Sequence, residues 1–227
     1  MRIAGNFSNF LTAIGSLFCW VFFPFLNIDI PLSLPLNYLA GLNTIFCICA
    51  CVATTVSLTC IINGKIDLKD VVFSTVAGGV AAGSSAAMID NSLQSLLLGV
   101  GTAIVHVCLL QLEQVIRWKV VVENLVFYLF AVIGTLAGLA SAIFASQAGK
   151  DTVFTSITST GYVLPSSQDQ LIGVGISVAL GTISGLILSP AICLMNVEVD
   201  YNYYHDRAYW IIEQDGISEL QNIQLSA

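Results

Sequence analysis

The chain has 227 residues, of which 56% are hydrophobic and 9% charged, and its mean hydropathy is +0.87. Soluble globular domains carry about 25% charged residues because their surfaces face water, so this composition excludes an ordinary soluble domain and indicates a surface in contact with lipid. The net charge of −7 argues against nucleic acid as a partner.

Six hydrophobic runs follow one another along the chain, each with the length that a membrane-spanning helix needs. A helix requires about 20 apolar residues to cross the hydrocarbon core, and the runs lack the alternating pattern of barrel strands. Because backbone groups in lipid must bond to one another, the runs predict an all-α, polytopic bundle of about six transmembrane helices. In chain order they are Phe10–Leu26, Leu39–Ile62, Val71–Ile89, Leu93–Leu112, Val120–Ala145 and Gln170–Met195.

This pattern predicts a six-helix transmembrane domain, residues 1–195, and a polar tail, residues 196–227. With six crossings, six of the seven basic residues fall on one side of the membrane and only Lys150 on the other. Cytoplasmic loops carry an excess of Lys and Arg, so we expect both termini on the cytoplasmic side, or on the matrix side of a mitochondrial membrane. The six are Arg2, Lys65, Lys69, Arg117, Lys119 and Arg207.

The tail combines aromatic and acidic residues. Its aromatics suit either a belt at the membrane interface or anchors for a neighbouring subunit, since buried Tyr and Trp dominate contact energies. They are Tyr201, Tyr203, Tyr204, Tyr209 and Trp210.

The cysteines and histidines predict neither a metal site nor an enzyme. All seven cysteines fall inside hydrophobic runs, where a thiol packs as a small apolar side chain, although Cys47 and Cys51 share a helix face. The two histidines have no further ligands near them in sequence. There is no nucleophile–base pair, phosphate loop or carboxylate dyad, so we expect no catalytic residue and no cofactor.

Three of the runs carry Gly-x-x-x-Gly. Glycines four apart lie on one helix face and allow two backbones to approach closely. Small residues also leave room for a pore, but close helix packing is the purpose that we expect. The pairs are Gly79 with Gly83, Gly134 with Gly138, and Gly181 with Gly185.

Five short stretches, in order and over nearly the whole chain, are similar to one known family. The aromatic run Phe10–Asn27 looks like an IGTLFLWMYWPSFN helix, and Leu42-Asn43-Thr44 opens the next helix in the same way. Gly64-Lys65-Ile66-Asp67 looks like a GKLD loop, Val76–Gly83 like an LAGGVAVG stretch, and Tyr204–Trp210 like an FEDAVYW tail. Together they resemble the C-terminal half of the Rhesus glycoproteins, a branch of the ammonium transporter family.

The resemblance implies the fold of that family. Its protomer has eleven or twelve helices in two inverted five-helix repeats, is usually trimeric, and contains a narrow hydrophobic pore lined by two histidines. This chain would supply one repeat and the closing helix, in keeping with other inverted-repeat transporters. The partners implied are the lipid bilayer and other membrane protein chains, in a hetero-complex or a family-like trimer.

The positions that match the pore depart from the family pattern. Where the family has HNLHG, whose second histidine lines the pore, this chain has Glu123-Asn124-Leu125-Val126-Phe127, and valine offers no polar atom to a small polar molecule. Leu26 stands where the family has a gating phenylalanine, although Phe25 is adjacent. The vestigial pore-lining residues are therefore predicted to be Phe25, Leu26, Glu123, Asn124 and Val126.

His106 and Glu123 are ionisable residues inside hydrophobic runs. A charge at the bilayer centre costs about 2.5–3.5 kcal/mol on insertion scales, so such residues usually have a partner. With a rise of 1.5 Å per residue they lie at depths of roughly 9 and 5 Å from the same face, and they could form an intramembrane polar pair. Alternatively, Glu123 reaches the interface and His106 bonds to a backbone carbonyl.

Two functions from different classes fit these features. The first is a non-conducting structural or accessory subunit, a half-length Rhesus-like protein that packs inside a larger membrane assembly. The second is a channel for ammonia or another small neutral gas such as CO2, whose N-terminal half is missing or is supplied by another chain. The lost pore histidine and the altered gate position favour the first.

Overall fold

The computed structural model describes residues 6–28, 34–64, 66, 68–116, 127–148 and 166–194, and within them all regular structure is helical. The predicted all-α helix bundle is confirmed. In chain order the helices are α1 (Asn6–Asn27), α2 (Leu34–Asn63), α3 (Leu68–Gly83), α4 (Ser92–Ile116), a π-helix (Phe127–Val132), α5 (Ile133–Ala148) and α6 (Ser167–Leu194).

Among the described residues, five helical segments are long and apolar enough to cross a membrane. They are α1, α2, α4, α6 and the π-helix together with α5. The remaining helix, α3, has 16 residues, and seven of them are buried. It is shorter than the predicted run Val71–Ile89 because the chain turns after Gly83.

The chain divides into two compact units, residues 6–180 and residues 181–227 together with 1–5. Of the second unit the structure describes only residues 181–194, which form the C-terminal part of α6. The tail that was predicted over residues 196–227 lies outside the described residues.

Helix α2 is central to the first unit, with α3 and α4 packed against it. Helix α1 contacts α2 and α3, and α5 contacts α3. The core consists mostly of small side chains, among them Cys47, Cys51, Ala77, Ala81 and Ala103, none more than 1% exposed. Small side chains allow the helices to approach closely, and close van der Waals packing is what holds helices together in lipid.

Two glycines outside the Gly-x-x-x-Gly pairs bring α3 and α4 into backbone contact with α2. A β-carbon on Gly78 would lie 2.9 Å from the Ile48 Cα and 3.0 Å from the Cys51 Cβ. A β-carbon on Gly99 would meet the Cys47 carbonyl oxygen and would lie 2.9 Å from the Ala50 Cβ. A larger residue at either position would therefore push two helix backbones apart.

The Gly-x-x-x-Gly pairs differ in their surroundings. A β-carbon on Gly79 would overlap the Phe23 ring, and one on Gly83 would lie 3.3 Å from the Asn27 Oδ1, so both glycines face α1. Gly134 faces Val80 of α3, and Gly138 lies against Val174 of α6. A β-carbon on Gly181 or Gly185 would have open space within 4 Å, so a packing role for these two stays a prediction.

Asn43 holds the connection between α3 and α4 onto α2. Its side chain is fully buried, and its Nδ2 donates hydrogen bonds to the carbonyls of Ala86 at 2.9 Å and Ile89 at 2.7 Å. The Ser95 hydroxyl of α4 in turn donates to the Asn43 carbonyl. The carbonyls of Ala86 and Ile89, in the connection that follows α3, thereby receive hydrogen bonds, as buried backbone groups require.

Helix α6 starts at a capping box. The Ser166 hydroxyl accepts a hydrogen bond from the Asp169 backbone N–H at 3.2 Å, and the Asp169 carboxylate accepts one from the Ser166 backbone N–H at 3.1 Å. This reciprocal pair satisfies donors at the start of the helix. It places the start of α6 at Ser167, three residues before the predicted run.

Candidate functional site

The described part of the predicted pore lining lies at the C-terminal end of α1. Phe25 and Leu26 are 70% and 72% exposed, so neither side chain is covered by the described residues. In this chain they belong to an outward-facing aromatic surface of α1, on which the rings of Phe18 and Phe22 stack with centroids 6.1 Å apart.

Asn27 fixes the end of α1 to its neighbours. Its Nδ2 donates to the Thr44 hydroxyl at 3.2 Å and to the Gly79 carbonyl at 3.1 Å, so one amide joins α1 to α2 and α3. The Thr44 hydroxyl donates to the Ala40 carbonyl at 2.8 Å and can therefore accept from Asn27. The outward direction of the aromatic surface is thus set by partly buried hydrogen bonds on the opposite side of α1.

The other predicted pore residues, Glu123, Asn124 and Val126, lie outside the described residues. The chain is described again from Phe127, which is 58% exposed and begins the π-helix. In π-helices, which are frequent at functional sites, each turn carries an extra residue. Leu129 is buried in this π-helix, and Ile133 is buried in the first turn of α5; both belong to the core cluster.

His106 is buried in α4 with 1% of its surface exposed. The apolar span of α4 ends at Leu112, as predicted, but the helix continues to Ile116, so His106 lies ten residues, or about 15 Å, from the helix end. Neither ring nitrogen has a hydrogen-bond partner among the described residues. The backbone-carbonyl bond considered above is therefore absent from the described part of the chain, and the pair with Glu123 stays a prediction.

A cavity of about 300 Å³ lies between α3, α4 and α5. Thr102 is the one hydroxyl in its lining, and that hydroxyl already donates to the Leu98 carbonyl at 2.8 Å. With its remaining lining apolar, the cavity suits hydrocarbon and offers nothing to an ion. Within the described ranges, no cluster of His, Cys, Asp or Glu could hold a metal ion.

The structural roles of Asn27 and Asn43 were not predicted from the sequence. Both residues were noted only as parts of family-like stretches, yet each amide bonds to backbone carbonyls more than 40 residues away. An asparagine within or at the edge of an apolar run is itself a signal, because an amide in hydrocarbon needs partners. Which carbonyls it reaches depends on how the helices pack.

Comparison with known proteins connects this arrangement to one family. The model of the Ammonium Transporter Family matches residues 4–209. The Ammonium transporter Rh type C of Xenopus laevis is 27% identical over 232 residues, covering 93% of this chain and 48% of that protein. The human Ammonium transporter Rh type C is 24% identical over 220 residues, covering 89% of this chain and 46% of that protein.

A solved structure has the same fold. Nitrosomonas europaea Rh50, from the Rhesus protein family of channels, superposes with a TM-score of 0.71 and 22% sequence identity. The match covers 98% of this chain and 54% of Rh50. The chain thus spans about half the length of the curated relatives that it matches.

Proposed function

Because the chain belongs to the ammonium transporter family and is an integral, multi-pass membrane protein, we propose that it acts as a Rhesus-like accessory subunit. In this role it contributes packing surfaces to a larger membrane assembly and conducts nothing through the family pore. The observation that carries the proposal is the outward-facing aromatic surface of α1, anchored by Asn27.

The α1 surface has the properties of a protein contact. It combines large aromatic side chains, Phe18, Phe22 and Phe25, each more than half exposed. Aromatic residues dominate binding energies at protein interfaces, and the hydrogen bonds of Asn27 keep this surface from rotating into the bundle. In a two-repeat protomer such a surface would meet the other repeat. A partner chain, or a second copy, would cover it here.

The altered pore residues support the non-conducting part of the proposal. Val126, in place of the pore histidine, removes both ring nitrogens from the passage and leaves no group that bonds a small polar molecule. Phe127 takes the place of the glycine that follows that histidine and adds bulk. Both changes disfavour passage of a polar solute.

A channel for ammonia is the second candidate. It is favoured by the relatives, whose names describe them as ammonium transporters, and by the fold shared with Rh50. On this hypothesis the other half of the protomer would come from another chain or from residues that precede this sequence.

Flux measurements separate the two candidates. The protein, with any chains that co-purify, is reconstituted into liposomes containing a pH-sensitive dye, and an ammonium gradient is applied. We expect a pH transient no faster than in empty vesicles, with Rh50 vesicles as the positive control. A faster transient that Val126→Trp abolishes would refute the accessory role, because it would have passed through the pore position.

Native mass measurement tests the assembly. Extraction in mild detergent should recover the chain with other membrane subunits. Recovery with a single Rhesus-like half would favour the split channel. A stable, monodisperse monomer without any companion chain would contradict the proposal, since the α1 surface would then need no protein cover.

A further inference from the structure

The buried ring of His106 has no hydrogen-bond partner among the described residues. The ring is 1% exposed, and both Nδ1 and Nε2 lack a partner among the described residues. A neutral imidazole carries one donor and one acceptor, and buried polar side chains in native proteins nearly always bond to protein or to an ordered small molecule. A partner for this ring must therefore be found at its level in the bundle.

The register of α4 on α2 places Thr55 at that level. Ser95 bonds to Asn43, 52 residues earlier, and Gly99 lies against Cys47 with the same offset. Carried two turns further, this offset of 52 residues brings His106 to the level of Thr54. Gly99 also lies against Ala50, three residues after Cys47, so the stretch of α2 that faces His106 includes Thr55. Thr55 is the fully buried residue of these two, and its hydroxyl lies beside the Cys51 thiol one turn earlier, with no other hydrogen-bond partner among the described residues.

The register of α3 on α2 adds Ser74. Gly78 of α3 lies against Ile48 and Cys51 of α2. Because α3 runs antiparallel to α2, the residue one helical turn before Gly78 faces the residue one helical turn after Cys51. This pairs Ser74 with Thr55. The Ser74 side chain is fully buried, and its hydroxyl donates to the Val71 carbonyl at 2.8 Å, which leaves the oxygen free to accept.

We propose that His106, Thr55 and Ser74 form a buried site for a small neutral molecule that both donates and accepts hydrogen bonds, the class to which water and ammonia belong. The three side chains come from three helices and offer donors and acceptors but no charge, so they suit a neutral ligand rather than an ion. The close backbone contacts at Gly78 and Gly99, one and two turns away, favour a ligand of only a few atoms. The site does not involve Val126 and does not depend on whether the protein conducts.

The test uses NMR of the full-length protein in liposomes with isotope-labelled histidine. The chain has only two histidines, so His205→Phe leaves His106 as the single labelled ring. The first probe is bulk water, from which proton polarisation is transferred to the ring nitrogens. The second probe is ammonium chloride, with the same concentration of sodium chloride as the control. We expect polarisation transfer from water to the His106 ring. A ring signal that also shifts with ammonium chloride would identify ammonia as an occupant; an unchanged signal would identify water.

A matched pair of variants tests the site itself. Thr55→Val keeps the shape of the side chain and removes its hydroxyl, and should reduce the transfer. Thr59→Val makes the same change one turn on, where the hydroxyl already donates to the Thr55 carbonyl at 2.9 Å, and should leave the transfer unchanged. A ring that receives no polarisation from water and ignores ammonium chloride would overturn the proposal. So would ring signals that move on Glu123→Gln, because the carboxylate would then be the partner of the ring.

Discussion

Replacing Gly99 with alanine should destabilise the bundle, whereas the same replacement two residues later at Gly101 should not. The new methyl group at position 99 would meet the Cys47 carbonyl oxygen and lie 3.1 Å from the carbonyl carbon, both backbone atoms of α2. It would also lie 2.9 Å from the Ala50 Cβ. None of these atoms can move without shifting a helix, whereas a β-carbon on Gly101 meets nothing within 4 Å.

The expected magnitude comes from two opposing effects. Alanine is favoured over glycine in a helix interior by about 1 kcal/mol, and this gain applies equally to both positions of α4. Forcing an extra carbon into a well-packed core costs about 1–3 kcal/mol, and this cost applies only at Gly99. The Gly99→Ala protein should therefore be less stable than the Gly101→Ala protein by about 1–3 kcal/mol, the overpacking cost alone.

The assay compares the two variants and the parent in the same detergent. Samples are heated in steps, and the fraction that remains monodisperse on size exclusion gives a midpoint for each protein. Gly101→Ala should have a midpoint above that of the parent, because it gains helix propensity without a clash. Gly99→Ala should have a midpoint at or below that of the parent, and therefore below that of Gly101→Ala. Equal midpoints for the two variants would show that α4 does not contact α2 at Gly99. The alignment of α4 on α2 that places Thr55 beside His106 would then be wrong.

Asn43→Ala should lower the free energy of unfolding by about 2–4 kcal/mol, because two buried carbonyls in the α3–α4 connection lose their donor; thermal midpoints against the parent would measure it. Asn27→Ala should cost less, about 1 kcal/mol, since its bonds are only partly buried, and an effect as large as that of Asn43→Ala would contradict this ranking. Impermeant labels attached at Asn6 and Ala227 should react from the same side of the membrane, and reaction from opposite sides would disprove the predicted topology.

The helical bundle could be predicted from the sequence because its signal is strong. Runs of about 20 apolar residues have few structural alternatives in lipid, and the family resemblance added the order of the helices; the family match confirms that resemblance. Helix ends were harder to predict. The third run predicts a helix that continues to Ile89, but the helix ends at Gly83. The carbonyls of Ala86 and Ile89 instead accept hydrogen bonds from the Asn43 amide, 43 and 46 residues earlier in sequence.

The candidate site, like the helix ends, could be predicted only in part from the sequence. The sequence identified His106 as unusual, since an ionisable residue inside an apolar run is rare and usually functional. It gave no means of finding Thr55 or Ser74, because threonine and serine are common in membrane helices and often donate only to a carbonyl on their own helix. The close contacts at Gly78 and Gly99, which fix the register of three helices, single out these two hydroxyls from the others.

The polar groups inside the bundle fall into two sets with different physical consequences. The amides of Asn27 and Asn43 donate to backbone carbonyls of other helices, so removing either one acts on the stability of the fold. The His106 ring has no hydrogen-bond partner in the described part of the chain, and the Thr55 hydroxyl has none besides the Cys51 thiol, so the contribution of these two side chains depends on what occupies the space between them. Thr55 follows Asn43 by twelve residues of α2, about 18 Å, a distance at which changes in the two sets should act independently. A bundle can thus keep its packing when its pore residues change, and still hold a small polar molecule elsewhere.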